Sequence, residues 1–231
     1  MTTPKRLFDV ALALVLLILA LPIIGIIAIV ILILDGRPAL YFAERMASPE
    51  RAFGMLKFRT MTPVNEDTGV TGGEKFDRIT AFGQILRRTH LDELPQIWNV
   101  LRGDMSFVGP RPPLRRYVRR HPGLYGKILR SRPGITGLST LLCAPREARL
   151  LARSRTSAQS EDIYMRDCVP VKAHLDLIYQ KNRSFGWDLM LLWQTISGGR
   201  TKKTRHLSSA AQSNLKPSKT LKTTSNSQVI G

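Results

Sequence analysis

The chain has 231 residues, enough for one modest domain with attached segments, and its 43% apolar content suits a folded core. A formal charge of +18 favours phosphates, polyanions or anionic membrane surfaces as partners. Its two cysteines, Cys143 and Cys168, have neither a zinc-ligand spacing nor the number for a disulfide framework, and a reducing compartment fits them.

The first predicted element is an apolar block from Val10 to Leu34 with no charge inside it. As a helix it is long enough to cross a hydrocarbon core of roughly 30 Å. Lys5 and Arg6 precede it, as in a signal peptide, but the block exceeds an h-region of about 7–15 residues. It also exits into Asp35-Gly36-Arg37-Pro38 rather than a small-residue cleavage site, so it is expected to stay in the mature protein. Pro22 near its middle removes a helix hydrogen bond and predicts a kink. Positive charge flanks both ends, with Arg37 and Arg45 on the far side, whereas a simple spanning helix usually shows a one-sided bias. Residues alone leave a kinked spanning helix and a re-entrant hairpin both open.

Residues 38–45 and 51–61 read as short strands around a turn at Ser48-Pro49-Glu50. The stretch 65–75, rich in Gly, Thr and acidic residues, is expected to be a mobile loop. Thr80 can cap a helix through about Arg88 that carries Phe82, Ile85 and Leu86 at helical spacing. A second helix is predicted from near Asp92 to Arg102, closed by Gly103, with Leu94, Ile97, Trp98 and Leu101 as its apolar face. A stiff loop at Val108–Pro113 follows, then a basic, helix-prone stretch from Leu114 to Arg130 broken at Pro122. Residues 133–137 look like a turn; Glu147–Arg155 and Leu175–Ile196 read as helices, the latter interruptible at 184–186. From about Gly198 the chain turns to Ser, Thr, Lys and Asn without an acidic residue, the composition of a disordered tail.

The segment Arg87-Arg88-Thr89-His90-Leu91-Asp92-Glu93-Leu94-Pro95-Gln96 is the richest in chemistry. Pro95 suits the first turn of a helix, which would set Asp92 and Glu93 at its N-terminus, where the dipole favours ionised carboxylates. An ionised aspartate can ligate Mg²⁺ or attack phosphorus, although an Asp at a helix start is also the pattern of an ordinary cap. Arg87 and Arg88 upstream could neutralise phosphate charge. Arg111, between Pro110 and Pro112, presents a guanidinium fork suited to bidentate phosphate binding, or is a plain surface arginine. Lys57 and Arg59 alternate with Leu56 and Phe58, which predicts two cations on one strand face. His90, His121 and His174 lack ligand spacing and are read as structural.

Four motifs occur in one order: Leu56-Lys57-Phe58-Arg59-Thr60-Met61; Leu91 through Ser106, with Asp-Glu-Leu-Pro-Gln and Gly-Asp-Met-Ser; Val108-Gly109-Pro110-Arg111-Pro112; and Arg132-Pro133-Gly134-Ile135-Thr136-Gly137. With Lys5-Arg6-Leu7-Phe8-Asp9 ahead of the apolar block, they resemble the bacterial sugar transferase family, the monotopic phosphoglycosyl transferases of exopolysaccharide, O-antigen and glycoprotein pathways. The resemblance covers about Lys5 to Ile196. It implies an α+β fold: a re-entrant membrane helix hairpin broken at Pro22 (residues 1–36), a small helix-rich cytoplasmic domain with a short β-hairpin (37–197), and a basic tail (198–231). It implies residence on the cytoplasmic face of the bacterial inner membrane.

The resemblance also implies chemistry. Asp92 would attack the sugar-linked phosphorus of a nucleoside-diphosphate sugar, expected to be a UDP-sugar. Polyprenyl phosphate would then take the phosphosugar from Asp92. Glu93 would assist by metal binding or proton handling, Mg²⁺ held by Asp92 and Glu93 would offset diphosphate charge, and Arg87 and Arg111 match phosphate-contacting positions. Lys57 and Arg59 are further phosphate candidates. One departure stands out: many members continue after Pro-Gly-Ile-Thr-Gly with Leu-Trp-Gln-Val and a Gly-Arg pair, but this chain reads Leu138-Ser139-Thr140-Leu141-Leu142-Cys143-Ala144-Pro145-Arg146. That puts the sugar or nucleotide end of the pocket in doubt, and residues 47–50 lack the family's usual glycines. A nucleic-acid partner is not expected, because the apolar block has no use in such a protein. A catalytically silent membrane scaffold is the alternative reading.

Overall fold

The apolar block forms one long helix, α1 (Thr3–Leu34), in the computed structural model, which describes residues 2–64, 73–198 and 204. Its 32 residues make it about 48 Å long. Pro22 lies inside it and the helix is continuous through that position, so the hairpin expected there is not shown. It is long and apolar enough to cross a membrane. Its buried residues, Asp9, Ala13, Ala20, Ile27 and Ile31, recur at intervals of four and seven and so form one narrow stripe. Small Ala13 and Ala20 let the helix lie close against Ile97 and Val100 in the core. Other faces expose Leu14, Ile18, Leu19, Ile26, Ile29 and Ile33, the display expected of a helix solvated by lipid.

Both ends of α1 are fastened to the domain. At the start, Arg6 donates to the carbonyls of Val100 (2.6 Å) and Leu101 (2.8 Å), and Lys5 pairs with Asp188. At the end, Ile27 and Ile31 pack with Phe58 and Leu86, and the Asp35 carboxylate accepts from Thr80 Oγ1 at 2.9 Å.

Strands β1 (Leu40–Met46) and β2 (Ala52–Phe58) form the expected antiparallel hairpin, in register Leu40 to Phe58 and Met46 to Ala52. The second strand stops three residues before the predicted end. Helix α2 (Ala81–Thr89) starts at the predicted cap, where Thr80 Oγ1 accepts from the Gly83 amide at 2.9 Å. It ends on His90 in the left-handed conformation, φ 59°, which turns the chain sharply. A single 3₁₀ turn, Leu91–Glu93, follows; helix α3 (Gln96–Arg102) begins only after Pro95 and is closed by Gly103 at φ 92°. The expected mobile loop falls mainly on 65–72, outside the described residues, and Gly73–Phe76 is a short 3₁₀ turn.

The turn predicted at 133–137 is instead a strand, β4 (Gly134–Thr136), paired in parallel with β3 (Ser106–Val108). Gly134 is obligatory there, because a Cβ would lie 2.1 Å from the Gly109 backbone nitrogen. Helices α4 (Arg115–Arg120) and α5 (Pro122–Ile128) flank the break read at Pro122. Helix α6 (Leu138–Leu151) begins nine residues before the predicted Glu147 and carries Pro145 inside it. After α7 (Ser157–Ile163) and a π turn at Tyr164–Cys168 come α8 (Val169–Asn182) and α9 (Phe185–Ser197). They part at Arg183–Ser184, beside the predicted interruption, and the Ser184 hydroxyl caps α9 by accepting from the Trp187 amide. The result is a mixed, helix-rich fold whose main core joins α1, β2, α3, α6, α8 and α9. The predicted tail lies almost wholly outside the described residues.

Candidate active site

Asp92 and Glu93 sit in the 3₁₀ turn between α2 and α3, rather than in the first turn of a helix. A helix dipole therefore does not account for their ionisation; the nearby cations do. The left-handed His90 and the bend before Pro95 aim both carboxylates toward the end of β2. Lys57 Nζ donates to Glu93 Oε1 at 2.6 Å and lies 3.6 Å from Asp92 Oδ2. Arg111 Nη2 donates to the same Glu93 oxygen at 3.1 Å. The Lys57, Asp92 and Glu93 side chains retain 18%, 11% and 15% of their exposure, enough for a substrate oxygen to reach them but too little for free hydration.

Each cation is held by backbone far from it in sequence. Asn99 on α3 staples β2, accepting from the Leu56 amide at 2.9 Å and donating to the Gly54 carbonyl at 2.8 Å, which fixes Lys57 beside the dyad. Arg111 projects from a loop tied by three backbone hydrogen bonds: Gly109 to Thr136, Gly134 to Pro110, and Met46 to Pro113. The stiffness expected from the prolines is thus reinforced by β4 and β1.

The two carboxyls have opposite electrostatics. Burial pushes Glu93 up, but Arg111 and Lys57 together outweigh it and hold the carboxyl at about 2. Glu93 in turn raises Arg111. Burial raises Asp92 above the ordinary aspartate value, against the pull of Lys57 and, more weakly, Arg87; the Glu93 charge adds to the rise. Its nearest described cation is beyond hydrogen-bond length, so Asp92 presents an oxygen that is not saturated.

Of the other predicted residues, Arg87 donates through Nε to Thr60 Oγ1 at 2.7 Å and lies near enough to Asp92 to favour its anion. Arg59 does not share a strand face with Lys57: β2 ends at Phe58, and Arg59 is buried, donating to the carbonyls of Asp35 and Gly36 behind α1. Asn99 was missed as a positioning residue, although a polar side chain amid the apolar residues of α3 was a signal. No three His, Cys, Asp or Glu side chains gather into a metal cluster among the described residues. Two adjacent carboxylates nevertheless suit Mg²⁺, which commonly takes one or two and completes its shell with water and substrate phosphate.

The sequence profile of bacterial sugar transferases matches residues 1–201. The chain is 33% identical over 212 residues to the UDP-galactose-lipid carrier transferase of Erwinia amylovora, covering 83% of this chain and 39% of that one. It is 33% identical over 199 residues to the UDP-glucose:undecaprenyl-phosphate glucose-1-phosphate transferase of Klebsiella pneumoniae, covering 84% and 40%. It is 31% identical over 198 residues to the UDP-N-acetylgalactosamine-undecaprenyl-phosphate N-acetylgalactosaminephosphotransferase of Aeromonas hydrophila, covering 83% and 42%. The chain thus spans about two fifths of the length of each of these relatives.

Proposed function

Since this chain belongs to the bacterial sugar transferase family, we propose that it transfers a sugar 1-phosphate from a UDP-sugar to undecaprenyl phosphate through a phosphosugar ester on Asp92. The observation that carries this reading is the unequal treatment of two adjacent carboxyls. Glu93 Oε1 accepts hydrogen bonds from both Lys57 and Arg111, whereas Asp92 accepts none from the described residues and stands 3.6 Å from the same lysine. A pair tuned apart in this way is a pair with two roles.

Asp92 attacks the sugar-bearing phosphorus; a new P–O bond forms as the bond to the nucleoside phosphate breaks, and UMP leaves. The acceptor phosphate then attacks that phosphorus and frees the Asp92 carboxylate. Arg111 and Arg87 bind phosphate oxygens, and Lys57 keeps Asp92 ionised. Glu93 orients Lys57 and Arg111. Mg²⁺ held by Asp92 and Glu93 with substrate phosphate would supply charge neutralisation for the diphosphate.

The re-entrant arrangement is supported by the way α1 is tied down. Both of its ends are fastened to one domain, which favours a helix that enters and leaves the cytoplasmic leaflet, bending at Pro22, over one that delivers its ends to opposite sides. The mechanism is tested without acceptor. Incubation with radiolabelled UDP-sugar and Mg²⁺ should put label on the peptide containing Asp92 and release about one UMP per enzyme. Asp92→Asn should abolish both. Lipid product formed through a ternary complex, with no labelled peptide, would reduce Asp92 to a metal ligand.

A further inference from the structure

A polar cavity of about 220 Å³ opens behind Arg111, walled by α6, α8 and the α4–α5 segment. It shares Arg111 with the carboxylate dyad, so a ligand phosphate at Arg111 would have its next group at the cavity mouth. Glu147, Lys172, Tyr164, Tyr125 and Asp176 line it. Most of this polar lining is paired: Lys172 Nζ donates to Glu147 Oε2 at 2.7 Å and to the Tyr164 hydroxyl at 3.1 Å, which leaves one of its three donors.

Asp176 is different. It is 6% exposed, and its Oδ1 has no hydrogen-bond partner. Burial pushes its carboxyl up to about 7, against the pull of the Ser139 hydroxyl and Lys172. A buried carboxylate oxygen without a donor is destabilising, and Asp176 lies on the wall of the polar cavity next to the phosphate arm, where a ligand can meet it.

We propose that this cavity receives the pyranose ring of the donor sugar, with Asp176 accepting hydrogen bonds from ring hydroxyls and Lys172 donating its remaining N–H. The assignment rests on Arg111 acting as the phosphate arm in the reaction above. Its volume lies below the roughly 300–1,000 Å³ of sites for drug-sized ligands, so it suits one ring of the donor rather than a whole nucleotide sugar. A nucleobase would favour an open aromatic slot, but the two stacked rings here, Tyr117 and Tyr164 at 5.2 Å, are packed on each other. Helix α6 contributes Glu147 and Leu151 to the wall, directly after Leu138–Arg146, the stretch where this chain departs from the family pattern.

The test uses the full chain in membranes. UMP release is measured over UDP-glucose, UDP-galactose and their N-acetylamino counterparts for wild type, Asp176→Asn and Tyr125→Phe, with competitive inhibition by UMP as the nucleoside control. Asp176→Asn should lose about tenfold or more in kcat/KM on the preferred donor and flatten the donor ranking, with UMP inhibition unchanged. Tyr125→Phe, which keeps the ring and so the packing, should lose about threefold to tenfold. Thermal stabilisation by the matching hexose 1-phosphates reads the cavity independently of turnover, and should be present in wild type and lost in Asp176→Asn. Absence of UMP release from every donor would defeat the proposed reaction while that stabilisation still supported the cavity. An unchanged donor ranking in both variants, no hexose 1-phosphate stabilisation of wild type, or weakened UMP inhibition in Asp176→Asn would overturn the sugar assignment.

Discussion

Lys57→Met isolates the electrostatic role of the cation that bridges the dyad. The lysine lies 3.6 Å from Asp92 Oδ2, where unit charges at an effective dielectric near 20 interact by about 4–5 kcal/mol. Partial exposure and the competing contact with Glu93 reduce what Asp92 receives to about 1.5–3 kcal/mol, or roughly one to two pH units in its ionisation. Burial already raises Asp92 and Lys57 opposes that rise, so removing the lysine moves the carboxyl further up. The acidic limb of kcat/KM for UMP release should shift to higher pH by that amount. At a pH on that acidic limb activity should fall about 10- to 100-fold, and it should recover as the pH is raised. Lys57→Arg, which keeps the charge, should leave the limb close to wild type. A loss in Lys57→Met that is uniform across the profile would refute the reasoning and make Lys57 a steric or substrate-binding group instead.

Arg111→Lys replaces the planar fork with a point charge that cannot hold Glu93 and a phosphate together; kcat/KM should fall about 10- to 100-fold, and near-wild-type turnover would exclude the bidentate role. For topology, cysteines placed at Thr3 and Arg37 should both resist an impermeant thiol reagent added outside intact cells, whereas labelling of position 3 would show a spanning helix. Background should be low, because Cys143 and Cys168 are buried and their thiols are pushed up to about 11 and about 12. Asp176 has a folded value near 7 against an ordinary 3.8, so the unfolded state gains charge first and stability is lost as pH rises between these values. Asp176→Asn should therefore raise Tm progressively over that window, by about 2–4 °C per kcal/mol regained, and a gain independent of pH would contradict the unpaired carboxyl.

The parts legible in the sequence are those written in local chemistry. Thr80 announced a cap, Ser48–Glu50 a hairpin turn and Ser184 a helix break, and each does that in the structure. What was missed depends on partners distant in the chain. Three-residue strands such as β3 and β4 carry no period of their own and exist because Gly109 and Gly134 let two backbones meet. A helix was expected only from Glu147, yet α6 begins at Leu138 and runs through Pro145, because Leu138, Leu142 and Cys143 bury a face that outweighs one lost backbone bond. At the site, Lys57, Asp92, Glu93 and Arg111 were readable from motif and charge. The turn that carries the dyad was not, since it follows from the left-handed His90. The pairing of Lys172 with Glu147, 25 residues away, and the isolation of Asp176 are tertiary facts that no local pattern encodes.

The Lys5–Asp188 pair joins α1 to α9 across 183 residues, and Tyr179 completes the knot by donating to the same aspartate. During synthesis at about 5–20 residues per second, α1 leaves the ribosome on the order of 10–40 s before α9 can reach it. For the first part of that interval, until Ile97 and Val100 of α3 emerge, the Ala13–Ala20 stripe lacks its protein partners, and lipid can cover it. A bilayer that takes up α1 in that interval would order folding in time, with the remainder of the chain assembling around a strut already in place. Chains released into a membrane-free extract should accumulate as open, aggregation-prone intermediates, and vesicles supplied during translation should rescue them where vesicles added afterwards do not.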